Sequence, residues 1–256
     1  MAHYEFFEVA SADGIAHITM NRPPLNILHN AMMVEFNGLL EGLLKDTGLA
    51  AIVLRGKGKA FSAGVDVADH TPAKIGEMIP LFHGIFRKLA ATDALIIAAV
   101  HGAALGGGCE LACFCDIVLA SDKATFGQPE VKLAALAPVA ASVLPSKIGL
   151  AKAVEMTVLG GTITAEEARR IGLVNQVFPT DAFDSQVQAY LDPLRSLSRP
   201  VVRLAKRAVS QSARRLVLNE LDRNEHIYLN ELMKLSDAGE GIAAFMEKRA
   251  PQWKHA

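Results

Sequence analysis

Residues 101–111 read HGAALGGGCEL and place three consecutive glycines, Gly106 to Gly108, between a predicted strand and a predicted apolar helix. Each glycine costs a helix about 0.5–1 kcal/mol relative to alanine, so this helix start is favoured only where a ligand must reach the backbone. The free N–H groups at a helix N-terminus bind oxyanions well. The stretch matches neither GxxxxGK[ST] nor GxGxxG, so it is a poor candidate for a nucleotide-phosphate cradle.

Two further segments have the composition of a ligand site. Residues 59–67 (KAFSAGVDV) follow a predicted strand, and small residues around Gly64 would let the backbone approach a ligand and direct N–H groups at it. Residues 124–130 (ATFGQPE) are predicted to be extended and end in Pro-Glu, which can open a helix. Taken singly, Gly64 is also typical of a strand-ending turn, and Glu130 of a solvated helix start.

The carboxylates of these segments, Glu110 and Glu130, form a candidate acid-base pair. Alone, Glu110 in a first helical turn would only complement the helix dipole. In a shared apolar pocket, two carboxylates shift each other's protonation, so one can take a proton from water while the other gives one to carbon. The motifs GxSxG and HExxH are absent from the sequence, and no histidines have metal-ligand spacing. His70 and His101 flank the glycine segments and are candidates to line the pocket.

The order of predicted elements favours an α/β fold. Strands are expected at residues 4–9, 15–20, 51–54, 96–100, 117–120 and 173–178, and helices at 30–45, 77–91 and 107–115. Strands that alternate with helices are typical of a parallel sheet with helices packed outside it. We therefore expect residues 1–180 to form the core and residues 181–256 a helical region.

The helical region is expected to contain amphipathic helices with breaks at Pro193 and Pro200. Its apolar positions exceed what one short domain surface would cover, and such a face often packs against another subunit. These positions are Val201, Val202, Leu204, Leu216, Leu218 and Leu221.

The overall composition excludes several classes of partner. Of 256 residues, 51% are hydrophobic and 21% charged, as in globular proteins. The 26 Lys+Arg and 27 Asp+Glu give a net charge of -1 without a long basic run, so no nucleic-acid partner is expected. No stretch resembles a signal peptide or membrane span, so a cytoplasmic protein with no membrane association is expected. The odd number of cysteines, Cys109, Cys113 and Cys115, predicts reduced, buried thiols.

Four motifs in order resemble the crotonase (enoyl-CoA hydratase/isomerase) superfamily. They are Arg22-Pro23 with Asn26, residues 61–66 (FSAGVD), residues 106–110 (GGGCE) and residues 126–130 (FGQPE). The resemblance implies an α/β, ClpP/crotonase-like spiral of ββα units with a C-terminal helical oligomerisation region, commonly assembled as a homotrimer or a dimer of trimers. It also implies an acyl-CoA substrate, no metal, and no cofactor beyond the coenzyme A that the substrate carries.

The resemblance assigns roles to particular residues. Glu110 and Glu130 fall on the two catalytic glutamates of the family's hydratases, and the backbone N–H groups of Val65 and Gly107 fall on the oxyanion hole for the thioester carbonyl. Contacts to the coenzyme A or acyl group are implied for Leu25, Ala63, Gly64, Asp66, Val67, Gly106, Pro138, Phe245 and Lys248.

One segment departs from the pattern of typical hydratases. Those proteins carry a glycine-rich PGAGG-like stretch after the second glutamate, whereas residues 136–142 here read LAPVAAS and put bulkier atoms where a linear acyl chain would run. Together with Asp69-His70, Ala137-Pro138 and Tyr228-Leu229, this segment is similar to the cyclohexa-1,5-diene-1-carbonyl-CoA hydratases of anaerobic benzoyl-CoA breakdown.

The resemblance therefore implies hydration of a conjugated enoyl- or dienoyl-CoA thioester, a hydro-lyase reaction. The alternatives are a general short-chain enoyl-CoA hydratase, an enoyl-CoA isomerase and, more distantly, a non-enzymatic crotonase-like binding protein. An isomerase needs only one carboxylate, so the presence of both Glu110 and Glu130 favours a hydratase.

Overall fold

The computed structural model, which describes residues 3–256, is built on a six-stranded sheet. Its strands are β1 (Phe7–Ala12), β2 (Ile15–Met20), β3 (Ala51–Gly56), β4 (Leu95–Val100), β6 (Ile117–Ser121) and β9 (Gln176–Phe178), in that spatial order. β1 is antiparallel to β2, and the other neighbours are parallel. A smaller sheet joins β5 (Ala103–Leu105), β7 (Thr125–Gly127) and β8 (Thr162–Thr164).

Nine α-helices are present in residues 3–256, and helices pack on both faces of the larger sheet. They are α1 (Asn30–Leu43), α2 (Ile75–Ala91), α3 (Gly107–Phe114), α4 (Pro138–Ile148), α5 (Leu150–Leu159), α6 (Ala165–Arg170), α7 (Phe183–Ser196), α8 (Arg199–Asn230) and α9 (Ser236–Met246). Short 3₁₀ turns lie at Val67–His70, Pro129–Leu133, Thr180–Ala182 and Leu232–Lys234.

The central strands are apolar on both sides, which is typical of parallel strands buried between two layers. Ile52 and Leu54 of β3 pack into the main core with α1 and α2, whereas Val53 packs with α7 on the opposite face. All three cysteines are reduced and buried in the main core, as predicted. In the part of the chain that the structure describes, no helix is both long enough and apolar enough to cross a membrane.

The first strand begins three residues later than predicted. Asp13 and Gly14 both adopt positive φ, 53° and 78°, and form a tight two-residue turn. Such a turn determines the register of a hairpin, which pairs Ala12 with Ile15 and Phe7 with the buried Met20. The three-residue strands β5 and β8 were not predicted, because strands this short carry no usable periodicity.

The prediction that Pro193 separates two helices was wrong. α7 continues through Pro193 to Ser196. Its apolar side chains Phe183, Val187 and Leu191 are buried against the sheet, and this burial outweighs the local cost of proline near the helix end. Pro200 lies in the first turn of α8, where proline is compatible with the helix, so a break does fall there. The division of the chain at residue 180 stays a prediction.

Candidate active site

A cavity of about 380 Å³ lies where the glycine segments meet α2, α4 and α8. Its walls are mostly apolar, with two carboxylates among them. The predicted site residues that line it are Ala63, Gly64, Val65, Val67, Gly106, Gly107, Glu110, Glu130, Pro138 and Phe245. A concave, largely apolar pocket with a few converging polar groups is the usual form of a small-molecule site.

Two backbone amides of the cavity wall are available to a ligand. Within residues 3–256, the N–H groups of Val65 and Gly107 donate to no protein acceptor. The carbonyl of Gly64 accepts from Leu28 N at 2.8 Å, which holds the loop that carries Val65, and Gly107 is the first residue of α3. Two free N–H groups on adjoining loops form the kind of site that stabilises an oxyanion.

The close approach of these loops requires glycine at two positions. Gly64 has a φ of 104°, and a Cβ there would lie 3.0 Å from the Leu105 carbonyl oxygen and 3.4 Å from Gly107 N. Gly106 has a φ of 53°, and a Cβ there would lie 2.9 Å from Oε1 of Glu130. A side chain at either position would strain the backbone and separate the groups that the cavity brings together.

Glu110 occupies the first turn of α3 and is 3% exposed. Its Oε1 accepts a 2.9 Å hydrogen bond from the backbone N–H of Ala140, in the first turn of α4. Burial raises the pKa of Glu110 to about 7, and the N–H groups of Ala140 and Val139 oppose that rise. Glu110 is therefore poised to exchange a proton near neutral pH.

Glu130 lies in the 3₁₀ turn that follows β7 and faces the same cavity. Burial, and then the charge of Glu110, raises the pKa of Glu130 well above its usual range. The buried Gln128 side chain, with its amide oriented to donate, lies 3.2 Å from both carboxyl oxygens of Glu130. Because the backbone N–H groups of α4 favour the charged form of Glu110, and that charge raises the pKa of Glu130, the natural division has Glu110 ionised and Glu130 protonated.

Four further residues of the wall were not predicted as site residues. Met78, Ile79 and Phe82 of α2 are buried apolar side chains that line the cavity, and Tyr228 reaches it from α8. Met78, Ile79 and Phe82 lie far from the glycine motifs in the sequence, and an apolar helix face shows no signal that distinguishes a pocket wall from an ordinary core. Tyr228 belonged to the resemblance but was not assigned to the pocket.

Three residues expected to contact the ligand lie outside the cavity lining. Leu25 is 40% exposed, and its carbonyl accepts from Ala63 N beside the loop. The Asp66 carboxylate accepts from Ala68 N and caps the 3₁₀ turn at Val67–His70. Lys248 is exposed just beyond the end of α9. Contacts of these side chains with coenzyme A stay predictions.

The two candidate histidines differ in position. His70 lines the cavity, its Nδ1 lies 3.0 Å from the Asp66 carbonyl oxygen, and burial lowers its pKa. His101 instead places Nε2 3.0 Å from the carbonyl oxygen of Gly58, outside the cavity. Across residues 3–256, no three His, Cys, Asp or Glu side chains come together as a metal site would require.

Comparison with known proteins gives matches over nearly the whole chain. The family model for enoyl-CoA hydratase/isomerase matches residues 10–256. A probable enoyl-CoA hydratase of Mycobacterium tuberculosis (strain CDC 1551 / Oshkosh) is 38% identical over 255 residues, which cover 98% of this chain and 99% of that protein. The cyclohexa-1,5-dienecarbonyl-CoA hydratase of Thauera aromatica is 33% identical over 241 residues, which cover 94% and 93% of the two chains.

The fold has equally extensive matches among solved structures. The crystal structure of an enoyl-CoA hydratase from Mycobacterium avium subsp. paratuberculosis K-10 superposes with a TM-score of 0.87 at 28% identity, covering 97% of this chain and 98% of that one. This match confirms the predicted crotonase-like α/β fold with its C-terminal helices. Motifs, fold and relatives agree, and the chain belongs to the enoyl-CoA hydratase/isomerase family as an enzyme of the hydro-lyase type.

Proposed function

We propose that this enzyme adds water to a conjugated acyl-CoA thioester, with Glu110 as proton acceptor and Glu130 as proton donor. One observation carries the proposal: the buried carboxyl of Glu110 and the half-buried carboxyl of Glu130, with different hydrogen-bond partners, face the same apolar cavity as two free backbone amides. A hydration needs each of these four groups, whereas an isomerase or a binding protein does not need both carboxylates.

The reaction follows from these groups. The N–H groups of Val65 and Gly107 bind the thioester oxygen and stabilise the negative charge that develops on it, a contribution of about 3–4 kcal/mol per donor. Glu110 removes a proton from water as the water oxygen bonds to the electrophilic carbon of the conjugated system. Glu130 gives its proton to carbon as the enolate electrons return. One water molecule is added, and a proton transfer from Glu110 to Glu130 restores the starting state.

We propose cyclohexa-1,5-diene-1-carbonyl-CoA as the preferred substrate. Leu136 and Pro138 line the cavity, and Pro138 begins α4, whose Ala140 N–H donates to Glu110. These atoms can pack on the faces of a compact ring, at about 0.8 kcal/mol for each CH₂ buried. The similarity to the Thauera aromatica cyclohexa-1,5-dienecarbonyl-CoA hydratase supports this substrate. The similarity to the probable enoyl-CoA hydratase of Mycobacterium tuberculosis supports a general enoyl-CoA hydratase as the second candidate.

The proton transfers use two carboxylates and the polarisation uses two amides, so the chemistry needs no metal or redox cofactor, only the coenzyme A of the substrate. We propose assembly as a homotrimer or a dimer of trimers in the cytoplasm, engaged in the breakdown of aromatic compounds.

The test is a comparison of substrates, with kcat/KM measured for cyclohexa-1,5-diene-1-carbonyl-CoA and for crotonyl-CoA. We expect the higher value for the cyclic diene, and a loss of at least about 100-fold for Glu110→Gln and for Glu130→Gln. An equal or higher kcat/KM for crotonyl-CoA would contradict the proposed substrate but not the proposed hydratase activity. Near-normal turnover in either variant would overturn the paired mechanism. If the wild type hydrates no enoyl-CoA at all, the proposed hydratase activity is wrong.

A further inference from the structure

Tyr228 is a buried tyrosine in the wall of the active-site cavity whose hydroxyl lacks a partner. Its side chain is 1% exposed and lines the cavity together with Glu110 and Glu130. No group of residues 3–256 forms a hydrogen bond with its hydroxyl. Buried hydroxyls in proteins are nearly always bonded, so an unpaired one on a residue that lines a ligand cavity calls for an explanation in the bound state.

The turn of α8 that carries Tyr228 is attached to two other walls of the cavity. One turn earlier, Asn224 Nδ2 donates to Ser142 Oγ of α4 at 3.0 Å. The neighbouring Glu225 carboxylate lies 2.7 Å from His83 Nδ1 and 2.8 Å from Arg87 Nη2, both on α2. Tyr228 is therefore held in a defined place between α2 and α4, as a group that must meet a ligand atom would be.

We propose that the Tyr228 hydroxyl donates a hydrogen bond to the oxygen that the hydration adds, first as the bound water and then as the hydroxyl of the product. This proposal rests on the proposed function, because it assigns a third polar contact to the oxygen handled by Glu110 and Glu130. Tyr228 becomes a further catalytic residue that recognises the hydroxylated carbon.

The charges around Tyr228 favour this oxygen over the thioester oxygen. The carboxyl groups close enough to act on the phenol are those of Glu130 and Glu110, and burial followed by these two charges raises its pKa. The phenol therefore keeps its proton at neutral pH and acts as a donor. Water held between the Glu110 carboxylate and the carbonyl oxygen of protonated Glu130 donates one proton to each and still has a lone pair free to accept from Tyr228. The thioester oxygen already has the amides of Val65 and Gly107.

The test compares the binding of 3-hydroxybutyryl-CoA, in both enantiomers, with that of butyryl-CoA, which lacks the hydroxyl. Each ligand is titrated into two proteins that both carry Glu130→Gln, one with Tyr228 and one with Tyr228→Phe. The Glu130→Gln change keeps the hydroxyacyl ligand from being dehydrated during the titration. We expect Tyr228→Phe to weaken one enantiomer of the hydroxyacyl-CoA about three- to tenfold, the range for one neutral hydrogen bond, and to leave butyryl-CoA unchanged. Equal effects on both ligands, or none, would overturn the proposal.

The stability of the variant gives an independent readout. Because the hydroxyl is unpaired in the free protein, Tyr228→Phe removes a buried polar group without breaking a bond, so its melting temperature should equal or exceed that of the wild type. A structural tyrosine would instead lose stability and activity together. A lower melting temperature would contradict the premise that the hydroxyl is unpaired.

Turnover completes the test, with Tyr190→Phe as the matched control on α7, where Tyr190 packs against the opposite face of the sheet. We expect Tyr228→Phe to lower kcat/KM for hydration at least threefold and Tyr190→Phe to leave it unchanged. Unchanged turnover in Tyr228→Phe would overturn the inference about Tyr228 but not the proposed hydratase activity. Because the binding comparison does not depend on turnover, failure of the proposed function would be seen separately, as the absence of any hydration by the wild type.

Discussion

At the scale of single residues, burial and hydrogen bonding act in opposite directions on the Glu110 carboxyl. Burial favours the neutral acid, while the N–H groups at the start of α4 favour the carboxylate. The resulting pKa of about 7 makes both forms accessible near neutral pH. This balance suits a group that takes a proton from water and later passes it to Glu130, but it also affects the stability of the fold.

The raised pKa of Glu110 makes the stability of the fold depend on pH. The pKa of Glu110 is about 7 in the folded protein against 4.5 in the unfolded chain, a difference worth on the order of 3 kcal/mol. Its contribution is fully present below pH 4.5 and is lost as the pH rises through 7, because the unfolded chain releases the proton first. We expect Glu110→Gln to be more stable than the wild type at pH 8, with the gap closing toward pH 4.5.

Urea unfolding of both proteins across this pH range measures the gap. Glu41→Gln, at an exposed position on α1, is the control and should change stability little at any pH. If the stability difference between Glu110→Gln and the wild type does not vary with pH, the site does not shift the pKa of this carboxyl.

At the scale of elements, the loop that presents Val65 depends on the buried Asn26. Its Nδ2 donates to the carbonyls of Lys57, Ala60 and Phe61 at 2.8–3.1 Å, and its Oδ1 accepts from Arg22 N at 3.0 Å. One side chain thus holds together two loops separated by about thirty residues of sequence, a distance that no local preference of the chain can span.

We expect Asn26→Ala to lower both stability and turnover. The change leaves buried carbonyls without their donor, at about 1–3 kcal/mol for each group left unsatisfied, and releases the loop that orients the oxyanion-binding N–H of Val65. Urea unfolding should show a loss of a few kcal/mol, and kcat should fall at least about tenfold at a temperature where the variant is still folded.

Asn175→Ala provides the comparison for this prediction. Asn175 Oδ1 accepts from Val118 N at the start of β6, and neither residue lines the cavity. Its loss should lower stability while kcat stays near the wild-type value. A normal kcat in folded Asn26→Ala would mean that the loop keeps its geometry without this side chain.

At the scale of the whole molecule, apolar surface remains exposed along two helices. On α5, Leu150, Val154 and Val158 recur every four residues and are 49–69% exposed. On α8, Val201 and Leu204 are 61% and 55% exposed, as the predicted association face requires. Leu221, which was assigned to the same face, is instead buried in the core of its own chain. The sequence analysis did not identify the apolar face of α5.

We expect the chain to sediment as a trimer, or as a multiple of one, at micromolar concentration, because this exposed apolar surface is more stable when it is shared between copies. Leu204→Glu should shift the mass toward the monomer, since it places a charge on α8 without disturbing a side chain that the chain itself buries. Val34→Glu is the matched control, at a 54% exposed position on α1, and should leave the mass unchanged. A wild-type chain that sediments as a monomer would contradict the prediction.

The sequence by itself was sufficient for the features that depend on local backbone chemistry and on motif spacing. Gly64 and Gly106 adopt backbone conformations that side chains disfavour, and the glycine run opens α3 as predicted. The central strands were predictable because continuous apolar runs are required of strands buried on both faces. The ordered motifs around Glu110 and Glu130 identified the family and its hydratase chemistry before any distances were known.

Only the tertiary structure decided which distant groups complete the cavity. Phe82 lies on a helix face that looks like ordinary core, Tyr228 lies on the largely polar helix α8, and the pKa of Glu110 depends on α4, about thirty residues away. The continuation of α7 through Pro193 was likewise decided by packing on the sheet. The physical reason is the same in each case: burial and electrostatic environment are sums over non-local neighbours, whereas the sequence expresses directly only what each residue does to its own backbone.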